Sequence, residues 1–317
     1  MPHSKVRRPR LDFLVYLGIR LIVAFAQMLT IEQSYGLARL AAWIAYHLDG
    51  RHRKVGHENL RMAFGDRLTE AERDRIVRGV YLHFGRMIME LLHAPRKLHL
   101  TNWRDRVVLV GHVPIMDQLI TGDRPMIFLS GHYGNWELAG YIFGLFGFPT
   151  ASIARTLDNP YLDRYIRRFR QRTGQALIPK SGGFDQMVEV LRARGVLSFL
   201  ADQDAGRRGV YVEFFGRPAS THKAIALLAI EYRAPVVVGV ARRVGPGFRY
   251  EIRCEDVIDP SSLTGTAEDV RLLTQRFTSA LERLIRQDPT QYLWLHRRWK
   301  NQPQPRKALA KPQEAPA

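Results

Sequence analysis

His132 and Glu137 lie five residues apart in Ser130-Gly131-His132-Tyr133-Gly134-Asn135-Trp136-Glu137. An imidazole can take a proton from a hydroxyl near neutral pH. A carboxylate can fix its tautomer and stabilise the imidazolium that forms. The pair therefore reads as a general base with an orienting acid. The same residues also fit a plainer arrangement: Asn135 capping a helix, Glu137 complementing its dipole, and His132 an ordinary loop residue.

Local patterning places the pair. Met126 to Leu129 is an apolar run of strand length, Gly131 breaks it, and a helical pattern runs from Trp136 to Leu145. His132 thus falls at a strand-to-helix turn, at the carboxyl end of a strand, where open α/β sheets commonly do chemistry. Further apolar runs at Thr150 to Ile153, Ala176 to Ile178, Val196 to Leu200 and Val236 to Val240 read as strands, with helical stretches between several of them. That alternation predicts an α/β fold with a largely parallel central sheet flanked by helices. Val107 to Val110 reads as another strand, His112 to Ile120 as a short helix, Tyr250 to Cys254 as an antiparallel edge strand, and Ala267 to Arg286 as a long amphipathic helix.

Upstream, Lys5, Arg7, Arg8 and Arg10 precede a run from Phe13 to Thr30 that is apolar except for Arg20 and Gln27. An arginine inside the run argues against a signal peptide. Arg20 and Gln27 share one helix face, which suits a helix lying at a membrane surface or packing its polar stripe on protein; a full span is left open. Ile31 to Leu48 reads as a second amphipathic helix. Thr69 and Glu72 form a capping box that starts a helix reaching about Leu92, whose face Ile76, Val80, Phe84 and Met87 reads as core. Residues 1–50 are thus expected to be a basic N-terminus with membrane-associated helices, 51–301 the α/β domain, and 302–317 a disordered tail.

The chain has 317 residues and a formal net charge of +18. Such a charge seeks a polyanion: nucleic acid, an anionic membrane surface or a phosphorylated substrate. No zinc-finger spacing, aromatic RNA-binding signature or obvious helix-turn-helix supports the first, although charge alone allows a nucleic-acid-binding protein. The one cysteine, Cys254, excludes an internal disulfide and reads as a packed side chain. No Gly-x-Ser-x-Gly elbow, Walker loop or Gly-x-Gly-x-x-Gly is present, so neither a serine acyl-enzyme nor a nucleotide cofactor is indicated.

The His132 segment, with Asn159-Pro160-x-x-Asp163, Arg170-x3-Gly174, Asp202-Gln203-Asp204, Phe214-Phe215-Gly216 and Gln291-Tyr292-x-Trp294-x-His296-Arg297-Arg298 in order behind it, resembles the lysophospholipid acyltransferase superfamily. It is most similar to the branch of lipid A lauroyl and myristoyl acyltransferases, over roughly residues 10 to 300. The resemblance implies acyl transfer from acyl-carrier protein or acyl-CoA to a hydroxyl of a lipid A precursor, a phosphorylated glycolipid, at the cytoplasmic side of the inner membrane. It implies His132 as base with Glu137 orienting it. Phosphatidylinositol mannoside, ornithine-type lipid or another lysophospholipid is the alternative acceptor. Arg170 and Arg155 are the candidate phosphate-binding residues. Asp202, Gln203 and Asp204, after the strand ending at Leu200, are assigned to acceptor positioning, and amides near Asn135 to the oxyanion. The two aspartates lack a third ligand at metal spacing, so neither metal nor cofactor is expected. Gly216 to Thr221 reads either as a phosphate-binding turn or as a plain cap before a helix near Lys223.

Overall fold

The computed structural model describes residues 9–111 and 113–303; Lys5, Arg7, Arg8, His112 and the tail from 304 lie outside them. Helices come first: α1 (Pro9–Met28), α2 (Ile31–Leu48), α3 (Gly50–Phe64) and α4 (Glu70–Lys97). Thr30 with Gln33, and Thr69 with Glu72, close the capping boxes that start α2 and α4. α4 runs past Leu92 because Pro95 falls in its last turn, where the missing donor costs one bond and the Leu98 amide still reaches the Ala94 carbonyl.

The sheet region follows as β1 (Val107–Val110), α5 (Val113–Thr121), β2 (Met126–Ser130), α6 (Trp136–Leu145), β3 (Ala151–Ala154), α7 (Pro160–Gln171), β4 (Ala176–Pro179), α8 (Phe184–Arg192) and β5 (Val196–Leu200). A hairpin of β6 (Val210–Phe214) and β7 (Arg217–Thr221), then α9 (Ala224–Glu231), β8 (Val236–Arg243), β9 (Tyr250–Ile258) and α10 (Ala267–Gln287), complete it. The strand order is β1-β9-β8-β2-β5-β3-β4. Strands β8, β2, β5, β3 and β4 run parallel, and β9 is antiparallel to β8. The expected largely parallel sheet is present.

Two expectations are corrected. β9 is antiparallel but not an edge, because β1 pairs along it and takes the edge position. Nothing local to residues 107–110 or 250–258 encodes that pairing. Residues Arg217–Thr221 form β7 rather than a phosphate-binding turn. Ser220 and Thr221 are buried, and Arg298 donates to the Ser220 carbonyl at 2.6 Å and to Thr221 Oγ1 at 2.7 Å.

β2 shows why its run is continuously apolar. Ile127 and Leu129 join the main core, with Phe277, Leu281 and Leu284 of α10. Met126 and Phe128 point to the opposite face, with Ile115 of α5 and Val237 of β8. Both faces of the sheet are covered, so neither needs polar residues.

Candidate active site

The register of β2 on β5 builds the site. Ser130 lies opposite Leu200, and the Ala201 amide bonds the Ser130 carbonyl at 2.9 Å. Each chain then continues two residues past its strand, to His132 and Asp202. They are 70 residues apart in sequence and adjacent in space. Asp202 Oδ2 accepts from the His132 backbone amide at 2.8 Å, and Oδ1 meets His132 Nδ1 at 2.8 Å. A carboxylate only accepts, so Nδ1 carries the proton and Nε2 keeps its lone pair. Gly131 lets the two chains approach: a Cβ there would lie 3.3 Å from the Asp202 carboxyl, a tight contact.

Asp202 is 1% exposed and His132 18%. Burial alone would raise the Asp202 pKa, but the charge on His132 and the hydrogen bonds to it bring it down to about 2. Burial alone would lower the His132 pKa; the Asp202 charge and hydrogen bond, with Glu137 nearby, reverse the sign and raise it. The imidazole also packs edge-on to Trp136, ring centroids 5.0 Å apart.

The carboxylate that holds His132 is therefore Asp202, where the sequence reading put Glu137. Glu137, in the first turn of α6, is instead clamped by Arg170 of α7, whose Nε donates to Oε2 at 2.8 Å and whose Nη2 donates to Oε1. A five-residue spacing brings Glu137 near the histidine, but the turn of α6 directs it toward α7. Arg170 thus stands near His132, paired. Arg155 lies on the rim, well exposed, and bonds Asp158 at 3.3 Å. The other candidates are placed differently. Asn135 is fully buried: its Oδ1 caps the Leu138 amide at 3.0 Å, and its Nδ2 donates to Glu90 at 3.2 Å, so its side chain cannot touch a substrate. Asp204 braces its own loop, accepting from the Gly206 amide at 3.2 Å and from Asn301. Gln203 is half-buried, and neither it nor Asp204 lines the cavity.

That cavity runs inward from His132 between the sheet and helices α5 and α6, with a volume of about 680 Å³. Its mouth carries His132, Glu137, Arg170 and Arg155; its depth is apolar, with Met116, Leu119, Phe128, Phe143 and Val237. Gly140 on α6 and Gly239 on β8 lie among the lining residues and add no side-chain bulk. Cys254 also lines it, and burial pushes its thiol up to about 11, so it is an inert wall group.

Sequence reading named Gln291 only as part of a motif and missed how the His132 loop is held from behind. Gln291 accepts the Gly134 amide on its backbone carbonyl at 3.1 Å, and the Leu293 amide bonds the His132 carbonyl at 3.0 Å. His83, Glu90 and Arg243 form a buried network beneath. A carboxylate at position 90, one helical repeat beyond His83 in an otherwise apolar stripe with Met87, was the available signal.

An imidazole held on a buried carboxylate at the mouth of an apolar cavity has the chemistry to take a proton from a hydroxyl beside a long apolar group. The chain matches the bacterial lipid A biosynthesis acyltransferase family over residues 2–301 and belongs to that family. It is an acyltransferase acting on a lipid acceptor. Among its relatives, a lipid A biosynthesis acyltransferase of Haemophilus influenzae is 28% identical over 82% of each chain. A lipid A biosynthesis lauroyltransferase of Escherichia coli is 27% identical, covering 92% of this chain and 93% of that one. A phosphatidylinositol mannoside acyltransferase of Mycobacterium tuberculosis is also 27% identical, covering 68% and 67%.

Proposed function

We propose that the protein moves a fatty acyl chain from an acyl thioester, carried on acyl-carrier protein or coenzyme A, to a hydroxyl of a lipid A precursor. The observation that carries this reading is the His132–Asp202 pair at the mouth of the apolar cavity. The acyl chain enters the cavity and the thioester carbonyl stays at its mouth. His132 Nε2 takes the acceptor hydroxyl's proton as its oxygen attacks the carbonyl carbon. Asp202 stabilises the imidazolium that forms. The tetrahedral oxyanion is met by the positive end of α6. Collapse expels the thiolate, and the imidazolium returns the proton to it. No covalent acyl-enzyme is needed. Glu137 acts on His132 through its charge and holds Arg170 beside the site, where a phosphorylated acceptor meets Arg170 and Arg155.

Acceptor choice rests on family membership. Phosphatidylinositol mannoside is the second reading, because such a relative matches the identity of one lipid A relative, 27%, although over 68% of this chain against 92%. The test is purified protein with acyl-CoA or acyl-carrier protein, offered each acceptor and read by mass spectrometry. Gain of one acyl mass on the lipid A precursor alone is expected; gain only on the mannoside moves the assignment to the second reading.

We further propose that α1 lies in the surface of the inner membrane, with the catalytic domain on the cytoplasmic side. α1 is long and apolar enough to span, but polar groups along it meet the rest of the protein. The Asp12 carbonyl accepts from Asn159 at 2.8 Å, Arg20 stacks over Tyr165 at 4.9 Å, and Gln27 donates to the Leu92 carbonyl at 3.2 Å. Leu14, Leu21, Ile22 and Met28 face outward, exposed, and α2 adds Leu40, Trp43 and Leu48.

A further inference from the structure

We infer that His83, carried on α4 and not among the residues lining the cavity, is a positioning residue that sets the geometry of the catalytic loop through the Gly134 carbonyl. The inference rests on the reading of His132 as the base. The backbone polar groups of residues 132–135 show how the loop is held. His132 is bound at its amide by Asp202 and at its carbonyl by the Leu293 amide. The Gly134 amide goes to Gln291, and the Asn135 amide to the Ala241 carbonyl at 2.7 Å. The Gly134 carbonyl is taken by His83 Nε2 at 3.0 Å. Gly134 itself has φ +65° and lies so close to the Ala241 carbonyl that no side chain fits. The turn is therefore tight, and a shift of its peptide moves His132 directly.

His83 is fitted to this task by its partners. Arg243 Nη1 lies 3.1 Å from His83 Nδ1. A guanidinium only donates, so Nδ1 accepts and the proton sits on Nε2, aimed at Gly134. Burial, with the Arg243 charge, holds the His83 pKa down to about 4, so the ring stays neutral and the tautomer is single. Arg243 is in turn fixed by Glu90, and its backbone amide and carbonyl both bond the Gln291 side chain, each at 3.0 Å. Gln291 is the residue that holds the Gly134 amide. Both hydrogen-bonding groups of that one residue therefore trace back to Arg243. Packed apolar residues can stabilise a core as well as a buried ionic cluster does. What such residues could not supply is a donor of fixed direction under the loop.

Three substitutions test this, each assayed for acyl transfer with His132→Ala as control. In His83→Gln the amide oxygen accepts from Arg243 and the amide nitrogen donates to Gly134, so kcat should stay within about threefold of wild type. His83→Phe keeps bulk and loses both bonds; kcat should fall about tenfold to a hundredfold with KM nearly unchanged, because a displaced base affects the chemical step. The acid limb of the pH–kcat profile should move as well, since His132 is no longer seated on Asp202; a packing defect alone would not move it. A folded His83→Phe with wild-type kcat and pH profile overturns the proposal. If His83→Phe does not fold, His83→Asn replaces it, since its shorter amide cannot reach both partners. Wild-type kcat in His83→Asn, or a failure of both variants to fold, assigns His83 to the core alone and also overturns the proposal. Activity in His132→Ala would instead overturn the base reading; an inactive His132→Ala with unaffected His83 variants defeats this inference alone.

Discussion

Two histidines flank one loop, and their environments drive them in opposite directions. His132 lies at the cavity mouth on a carboxylate, and the Asp202 charge outweighs burial, so its pKa rises. His83 lies behind the loop against an arginine; burial and the Arg243 charge act together and bring it down to about 4. The first ring is suited to accepting a proton during a reaction, the second to keeping one hydrogen in one place. The carboxylates follow suit. Asp202 spends itself on the imidazole. Glu90 spends itself on Arg243, Tyr35 and Asn135, and so holds structure. Residue type alone would not separate the two sites; the sign of the neighbouring charge does.

Breaking the first site should have the largest effect. His132→Ala should lower acyl transfer by roughly 10²–10⁴-fold, with circular dichroism unchanged. Asp202→Asn should approach that loss, because it removes the charge that stabilises the imidazolium and frees the tautomer. It should also shift the acid limb of kcat to lower pH, since the raised His132 pKa depends on Asp202; below that pKa the base is protonated and transfer fails. Glu137→Gln should cost less than Asp202→Asn. The reverse order, measured in the same assay, would return the orienting role to Glu137.

The second site should break as stability. Glu90→Gln strands a buried Arg243 and should lower unfolding free energy by about 3–5 kcal/mol in denaturant titrations. His83 gives a smaller, pH-dependent signature. Its folded pKa lies below the unfolded value of 6.5, so the unfolded chain takes the proton first as pH falls. Stability should therefore drop between about pH 6.5 and 4, by about 3 kcal/mol in total. His83→Gln should remove His83's share of the drop and leave only that of His93, His222 and His296, whose pKa values burial also lowers; an unchanged drop would assign it to those groups. Smallest per residue is the membrane face: Leu14→Glu with Ile22→Glu should move the protein from vesicle pellet to supernatant while leaving its melting temperature close to wild type. Unchanged pelleting would show that another surface does the anchoring.

Much of this was legible in the residues. The run Met126 to Leu129, the break at Gly131 and the pattern from Trp136 placed His132 at the end of a strand, because period and turn chemistry are local properties. The capping box at Thr69 fixed one helix start for the same reason. That Arg20 and Gln27 share one face of α1 was legible, but whether that face meets a membrane surface or protein was not. Tertiary structure alone decided which carboxylate serves His132. Glu137 was nearer in the chain, but the register of β2 against β5 brings in Asp202 from 70 residues away, and α7 draws Glu137 off through Arg170. It also decided that β1 closes over β9, and that Asn135 serves as a buried cap and not a substrate contact. It decided that a glutamate in the apolar stripe of α4 meets an arginine from β8. Local patterns report how each segment folds and which face it hides. Which hidden groups meet depends on strand order and helix rotation, and those are set by the packing of the whole chain.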